Sequence, residues 1–395
     1  MNAQRPGVLF IVNSLAVGGA ERQVVTLVNG LDTRRFRPCL AYLKPFEALL
    51  PEVDAQRLDA LACVEVSAKL DPRALWRLRR LVDARAIDLI VSTNTYSTLY
   101  GALVRAASVR SPKLAAVFHT TALRTAKQRI GMGFYRHVFA QCDRLLYVCE
   151  SQRDFWRARG LRARSDAVVH NGIDTRHFRD ALTADEKAAL RRKLGFAPDD
   201  YIVGLCAALR PEKAHADLLQ AVAALRGCGV RARALLIGDG PERAAVENAA
   251  ASLGIAEHVH ITGLQADVRP FMAVCDVMTL VSHAIETFSL AALESMACAK
   301  PLVMTDIGGA REQIAHGTHG FLYDPGDVAA LAGHLATLVR KELRDAMGAA
   351  AAERVRRCFT LERMVTGFER HFDELLGSDA AMLPSSRARE VSPGG

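Results

Sequence analysis

Aromatic side chains make up only 6% of this chain, with two tryptophans in 395 residues. No stretch of it approaches the roughly 20 consecutive apolar residues that a membrane-spanning helix needs. Any membrane contact is therefore expected to be peripheral. The first apolar run, Val8–Val12, is too short for the core of a secretory signal and leads straight into Asn13 and Ser14, so secretion is not expected. The nine cysteines include no C-x-x-C pair and fall mostly inside apolar stretches. That argues against a metal ribbon, a redox pair or a disulfide framework, and for thiols in a reducing, cytoplasmic compartment. Internal repeats and low-complexity segments are absent from the body of the chain. So is a full G-x-G-x-x-G fingerprint, which argues against a dinucleotide-dependent dehydrogenase.

What is there is a globular composition, with half the residues hydrophobic and 24% charged. At this length one core is not enough, and two domains of similar size are expected. Short β-branched runs alternate with helical periodicity almost throughout, the pattern of parallel sheets covered on both faces. The first half predicts strands near Val8–Val12, Pro38–Leu43, Leu61–Val66, Asp88–Ser92, Leu114–Phe118, Arg144–Val148 and Ala167–His170. The second predicts Tyr201–Cys206, Ala232–Ile237, His258–Thr262, Asp276–Val281 and Pro301–Thr305. The polar stretch from Arg176 to Ala197 marks the boundary. This gives a first domain over residues 1–180, a second over 181–357, a helix over 358–376 turned back toward the first domain, and a disordered tail over 377–395. The charge is uneven: residues 1–175 carry 26 lysines and arginines against 15 acids, whereas the remainder carries 25 against 28. Either a solvated basic surface or an anionic partner, such as a phosphorylated acceptor or an acidic leaflet, accounts for the excess in the first half.

Three stretches carry chemistry. Glu286-Thr-Phe-Ser-Leu-Ala-Ala-Leu-Glu294 follows a strand and opens a helix, where free amides and the helix dipole favour an anion and flanking carboxylates can hold hydroxyls. Arg210-Pro-Glu-Lys213 follows the first strand of the second half, which brings two cations to the carboxyl edge of that sheet. Gly18-Gly19-Ala20-Glu21 follows the first strand of the chain, and its glycines permit close approach of backbone to an anion. Other features read as structural. His258 and His260 fall on one strand face without a third ligand, and His316 and His319 sit in a Gly-rich loop, so no metal site is implied. Trp76 and Trp156 read as core or helix-packing residues. Arg124, Lys127, Arg129 and Arg136, interleaved with Ile130, Met132, Phe134 and Val138, describe a surface helix or one lying on a membrane.

Together with Phe118-His119-Thr120, Asn171-Gly-Ile-Asp174, Gly238-Asp-Gly-Pro241 and Asp306-Ile-Gly-Gly309 with Glu312, these motifs run in one order from residue 7 to 376. In that order the chain resembles the retaining glycosyltransferases of family four. The resemblance implies an α/β GT-B fold, two Rossmann-like parallel-sheet domains facing across a cleft, and a nucleotide-diphosphate-sugar donor. It implies that Arg210 and Lys213 bind the diphosphate with the amides of Phe288, Ser289 and Leu290. Glu294 would hold the ribose, Glu286 the donor sugar, and His119 would stand near the sugar and acceptor. Gly18 and Gly19 would approach the donor, and Gly263 and Leu264 would lie against the base. Asn171 and Asp174 read first as a junction turn and second as acceptor contacts. No cofactor, metal or nucleic acid is implied; the acceptor would be a glycan or lipid-linked molecule in bacterial polysaccharide or lipopolysaccharide synthesis. Ala214, Thr287 and Ala299 stand where that family often has glycine. A nucleotide-sugar 2-epimerase or a non-catalytic assembly subunit of the same fold are the alternatives.

Overall fold

The computed structural model describes residues 5–121, 126–284 and 286–377, with residues 126–129 by backbone only. The predicted tail from 378 onward, Arg124, and the side chains of Lys127 and Arg129 lie outside the described residues. The first sheet contains β1 (Gly7–Val12), β2 (Arg37–Tyr42), β3 (Ala60–Cys63), β4 (Ile87–Thr93), β5 (Lys113–Phe118), β6 (Arg144–Tyr147) and β7 (Asp166–Val168). The second contains β8 (Tyr201–Cys206), β9 (Ala232–Ile237), β10 (Val259–Ile261), β11 (Val277–Leu280), β12 (Leu302–Thr305) and β13 (Gly320–Tyr323). Their orders are β3-β2-β1-β4-β5-β6-β7 and β10-β9-β8-β11-β12-β13, with every pair parallel. The chain is thus two doubly wound α/β domains, each reversing its winding between its first and fourth strands, β1/β4 and β8/β11. That crevice, at the carboxyl ends of the strands, is where such sheets bind ligands.

The sequence builds this architecture directly. All six residues of β1 are buried because helices cover both faces, which is why a parallel strand reads as an unbroken apolar run. The helix Gly19–Gly30 turns Val24, Val25, Leu27 and Val28 inward at helical spacing. In the helix Pro72–Ala84, Asp71 caps the start by accepting from the amides of Arg73 and Ala74, and Ala74, Leu78 and Val82 form the buried face. Trp76 therefore falls on the opposite side; it is 56% exposed, with the Arg80 guanidinium 4.9 Å above its ring, and is not a core residue. Trp156, by contrast, is buried against Phe118.

Three further differences from the sequence reading have simple causes. β13 is only four residues long and follows a glycine-rich loop, so its signal is short; His316 and His319 serve that loop by accepting from the amides of Leu322 and Ala315. His258 lies in a 3₁₀ turn, Ala256–His258, and not on the strand with His260. The polar boundary stretch contains a helix, Ala184–Lys193, closed by a capping box between Thr183 and Glu186 and fastened through Arg191 to the Val274 carbonyl and Asp276. In the helix Ala126–Ala140, Met132 and Val138 are buried while Ile130 and Phe134 are exposed. No helix among the described residues is long and apolar enough to cross a membrane.

The last helix, Leu361–Leu376, follows the second domain in sequence but packs on the first. Met364, Val365, Phe368 and Phe372 join the core formed by β1, β2 and the helix Gly19–Gly30, and the Phe372 ring meets Phe10 and Phe36 edge-on at 6.2 and 6.0 Å. Arg35 pairs with Glu369 at 2.6 Å and with Asp373, and Glu369 also accepts from the Asp32 amide. Ile173 bridges to Thr360 where the chain crosses back.

Candidate active site

The two reversal points face each other across a cleft of about 480 Å³. From the second domain, the loop after β8 brings Arg210 and Lys213, and the loop after β11 brings Glu286, Thr287 and Phe288; the helix Leu290–Ala297 that follows carries Glu294. From the first domain, the loop after β1 brings Gly18, Gly19 and Arg22, and the loop after β5 brings His119. Ser289, Leu290 and Leu264 complete the wall among the residues named from sequence, whereas Gly263 is not part of the lining and pairs instead with Gly238.

The charges are not equivalent. Lys213 donates to Glu286, which also accepts from the Ser282 hydroxyl at 3.0 Å, so these two opposite charges hold each other in place. Arg210 makes no ion pair or hydrogen bond through its side chain among the described residues. Its charge reaches Glu21 in the first domain, whose carboxyl burial holds above its usual range while its own amide and Arg210 pull the other way. Glu294 is buried, which pushes its carboxyl up to about 7 against the pull of Arg22. Burial alone brings the His119 imidazole down to about 4, so it is neutral at physiological pH, and its Nε2 has no partner among the described residues. Ser289 caps the helix Leu290–Ala297 by accepting from the Ala292 amide, and its own amide is directed at Gln313 Oε1 at 3.3 Å. That amide is thus already engaged, unlike the free donor expected from the sequence.

The loop holding the acids is pinned from behind and from the front. Gly308 lies so close that a Cβ there would come within 1.9 Å of the Glu286 carbonyl, and the Gly309 amide donates to the Thr287 carbonyl at 2.8 Å. In front, the Thr287 hydroxyl donates to the His119 carbonyl at 2.7 Å and meets the Thr121 hydroxyl at 3.1 Å. Asn171 Nδ2 donates to the Phe288 carbonyl while Oδ1 accepts from Gln23, so this residue is a buried link between domains. Asp174 is a turn residue that accepts from the amides of Arg176 and His177. Sequence reasoning did not single out Arg22, Asn94 or the linking role of Thr287. Arg22 directly follows the Gly-Gly-Ala-Glu motif on the first turn of its helix, a position that a helical wheel would have placed beside the motif. Asn94 accepts from the His119 amide at 3.0 Å, and nothing in its local sequence signals this.

Comparison with known proteins bears on what such a cleft does. Residues 17–177 match the family model described as Glycosyltransferase Family 4, and residues 186–354 match that described as Glycosyl transferases group 1. The chain is 33% identical over 214 residues to the N-acetyl-alpha-D-glucosaminyl L-malate synthase of Bacillus anthracis, a stretch covering 54% of each protein. The matched stretch thus spans about half the length of that curated relative. Among solved structures, HepE of Anabaena in complex with UDP aligns with a TM-score of 0.81 at 21% identity, over 93% of this chain and 100% of that one. WaaG, a glycosyltransferase involved in lipopolysaccharide biosynthesis, aligns with a TM-score of 0.71 at 17% identity, over 94% of this chain and 100% of that one. At these identities the two structures speak for the fold.

Proposed function

The chain belongs to the glycosyltransferases of the GT-B fold, matching family 4 through its first half and group 1 through its second, and from that premise we propose that it transfers a sugar, with retention, from a nucleotide-diphosphate-sugar to a glycan or lipid-linked acceptor. The observation that carries the reading is the convergence of Arg210, Lys213, Glu286 and Glu294 on one cleft at the β8/β11 reversal. The diphosphate lies against Arg210 and the start of the helix Leu290–Ala297, and it draws Lys213 away from Glu286. Glu286, so released, accepts from the hydroxyls of the donor sugar, and Glu294 accepts from the ribose. As the glycosidic C–O bond breaks, the electron pair stays with the nucleoside diphosphate. Fixed cations stabilise that charge far better in a water-poor cleft than in bulk solvent. The acceptor hydroxyl attacks from the face the diphosphate leaves, its proton passing to the departing phosphate oxygen, beside a neutral His119.

The acceptor pathway we propose is bacterial cell-surface polysaccharide or lipopolysaccharide synthesis, run in the cytoplasm with the basic first domain toward a membrane-held acceptor. Its support is the likeness to WaaG and the charge excess of residues 1–175. The test is to find, by thermal shift across a panel of nucleotide sugars, a donor that raises the melting temperature, and then to assay transfer. Lys213→Ala should lower turnover roughly a hundredfold, about 3 kcal/mol of barrier, and Glu286→Gln should cripple transfer comparably. Unchanged turnover in both variants, or an inverted anomeric proton coupling in the product, would overturn the reading.

A further inference from the structure

A second cavity, of about 450 Å³, lies at the hinge where the chain passes twice between the domains. Its walls are residues 168–171 at the end of β7, residues 358–360 where the chain leaves the second domain, and the first half of the helix Leu361–Leu376. The two crossings are joined here: the Ile173 amide donates to the Phe359 carbonyl at 3.0 Å, and the Leu361 amide to the Ile173 carbonyl at 2.8 Å. β7 is the last strand of its sheet and pairs with β6 alone, so no further strand fills the space beside it. On the helix side Gly367 keeps that space open, since a Cβ there would come within 3.0 Å of Val169 Cγ1. The volume is that of a pocket for a small molecule.

The lining is of two kinds. Val168, Val169, Phe359 and Met364 make an apolar floor, whereas Arg363, Thr366 and Arg370 are exposed and recur at the spacing of successive turns on one face of the helix. At 1.5 Å per residue the two arginines stand about 10 Å apart along the axis, near enough for both long side chains to close on one anion. Arg363 has no ion pair or side-chain hydrogen bond among the described residues. Arg370 only approaches Glu374 at 4.0 Å, an acid that Arg144 already holds. The acid among the lining residues, Glu362, faces Arg176 at 3.9 Å. Two guanidiniums with so little protein acid to engage them match a phosphate, which their forked donors grip in pairs.

One wall of this cavity is shared with the donor cleft. Asn171 lines both, and its side chain donates to the Phe288 carbonyl at 3.0 Å. His170 stacks on the Phe288 ring, centroids 4.9 Å apart, and Phe359 meets the same ring edge-on at 5.4 Å. Phe288 belongs to the loop that carries Glu286, so a molecule resting on His170, Asn171 and Phe359 presses on the residues that support that loop. Its contacts come from both domains, and its affinity therefore depends on the angle between them. We infer that the hinge cavity is an effector site, which takes a small phosphate ester with its phosphate between Arg363 and Arg370 and its body on the apolar floor, and whose occupancy changes the affinity of the donor cleft. The site does not rest on the sugar-transfer reading, because binding there is measured without transfer. Sugar phosphates and nucleoside monophosphates both supply the chemistry.

Calorimetry on the full chain with glucose 6-phosphate and AMP, each against its neutral match, glucose or adenosine, tests the site. At least one ester should bind tenfold or more tightly than its match, and which one does so tells a sugar phosphate from a nucleotide. Arg363→Gln/Arg370→Gln should remove the preference, Arg363→Lys/Arg370→Lys should keep most of it, and Thr366→Trp should block binding by filling the cavity. Arg210→Ala, in the donor cleft, should leave it unchanged. The bound ester should also shift the Kd of the nucleotide picked out by the thermal-shift panel about fivefold, and that nucleotide should shift the ester's Kd by the same factor. Equal binding of esters and neutral matches, a preference that survives in the glutamine variant, or one lost in Arg210→Ala would refute the site. Binding without the reciprocal shift would refute its effector role. Both arginines are exposed, so the glutamine variant should melt with the wild type, showing that it is folded. Should no nucleotide of the panel bind, the sugar-transfer reading falls, while the ester's own binding still decides the site.

Discussion

Glu294 is a carboxylate held near its midpoint at physiological pH, and that has a measurable consequence for the donor. Burial raises it to about 7 from its ordinary 4.5, so below pH 7 it is mostly protonated and able to accept fewer hydrogen bonds from ribose hydroxyls. If Glu294 meets the ribose as proposed, affinity for the nucleotide picked out by the thermal-shift panel should therefore rise roughly tenfold between pH 6 and pH 8, with a proton released on binding that calorimetry in buffers of different ionisation enthalpy can count. Glu294→Gln should flatten the profile, and a wild-type affinity that ignores pH across this window would show that the carboxylate does not meet the nucleotide. For folding the sign runs the other way. The raised value means that the native state holds its proton longer than the unfolded chain, so the group's contribution to stability is complete below pH 4.5 and is lost as pH rises through about 7. The residues that carry charge into the cleft were legible from sequence because loops at strand ends are short and their acids and bases have few other places to go. Arg22 and Asn94 were not, since what makes them matter is the approach of a second loop.

At the scale of the element, the glycine-poor turns stand out. Ala214 and Ala299 adopt φ of 47° and 55°, the left-handed region that a Cβ disfavours by about 1–2 kcal/mol. Replacing either with glycine removes that strain but adds freedom to the unfolded chain, worth roughly 0.5–1 kcal/mol. The net expectation for Ala214→Gly or Ala299→Gly is a gain of about 0.5–1 kcal/mol, read as a higher urea midpoint. A lower midpoint would mean that the alanine methyl packs better than its backbone suffers. Strand positions were readable in the sequence because strands buried on both faces are apolar without interruption. β13 and the helix Ala184–Lys193 escaped for opposite reasons. The strand is four residues behind glycines, and the helix buries no residue fully, resting only the half-buried Leu190 on the core and docking through Arg191 to a carbonyl and an aspartate. A periodicity argument has nothing to grip in either case.

At the scale of the whole molecule, one carboxylate joins the two domains. Glu312 accepts from the amides of Glu150 and Ser151 at 2.9 and 2.8 Å, from the Ser151 hydroxyl, and from His170 Nε2. It thereby caps the helix Glu150–Ala158, which has no side-chain cap of its own. Burial opposes its charge, but the hydrogen bonds from His170, Ser151 and Glu150 prevail and hold the carboxyl down at about 2. Its stabilisation is accordingly present above its ordinary 4.5 and is lost only as pH falls through about 2. Glu312→Ala should loosen the pair of domains, with a larger radius of gyration in solution scattering and a donor KM raised several-fold. An unchanged scattering profile would show that the other contacts suffice. The two-domain plan was visible in the alternation of strands and helices, whereas this junction depends on residues distant in sequence. The return of the helix Leu361–Leu376 to the first domain has a consequence of another kind. A ribosome releases the first half of the polypeptide long before the segment that supplies Phe368 and Phe372 has been made. The earlier domain must wait, with Phe10 and Phe36 uncovered, until the segment Leu361–Leu376 has emerged, so the order of synthesis and the order of completion are reversed, and a nascent chain cut short before that segment is left with a sticky face.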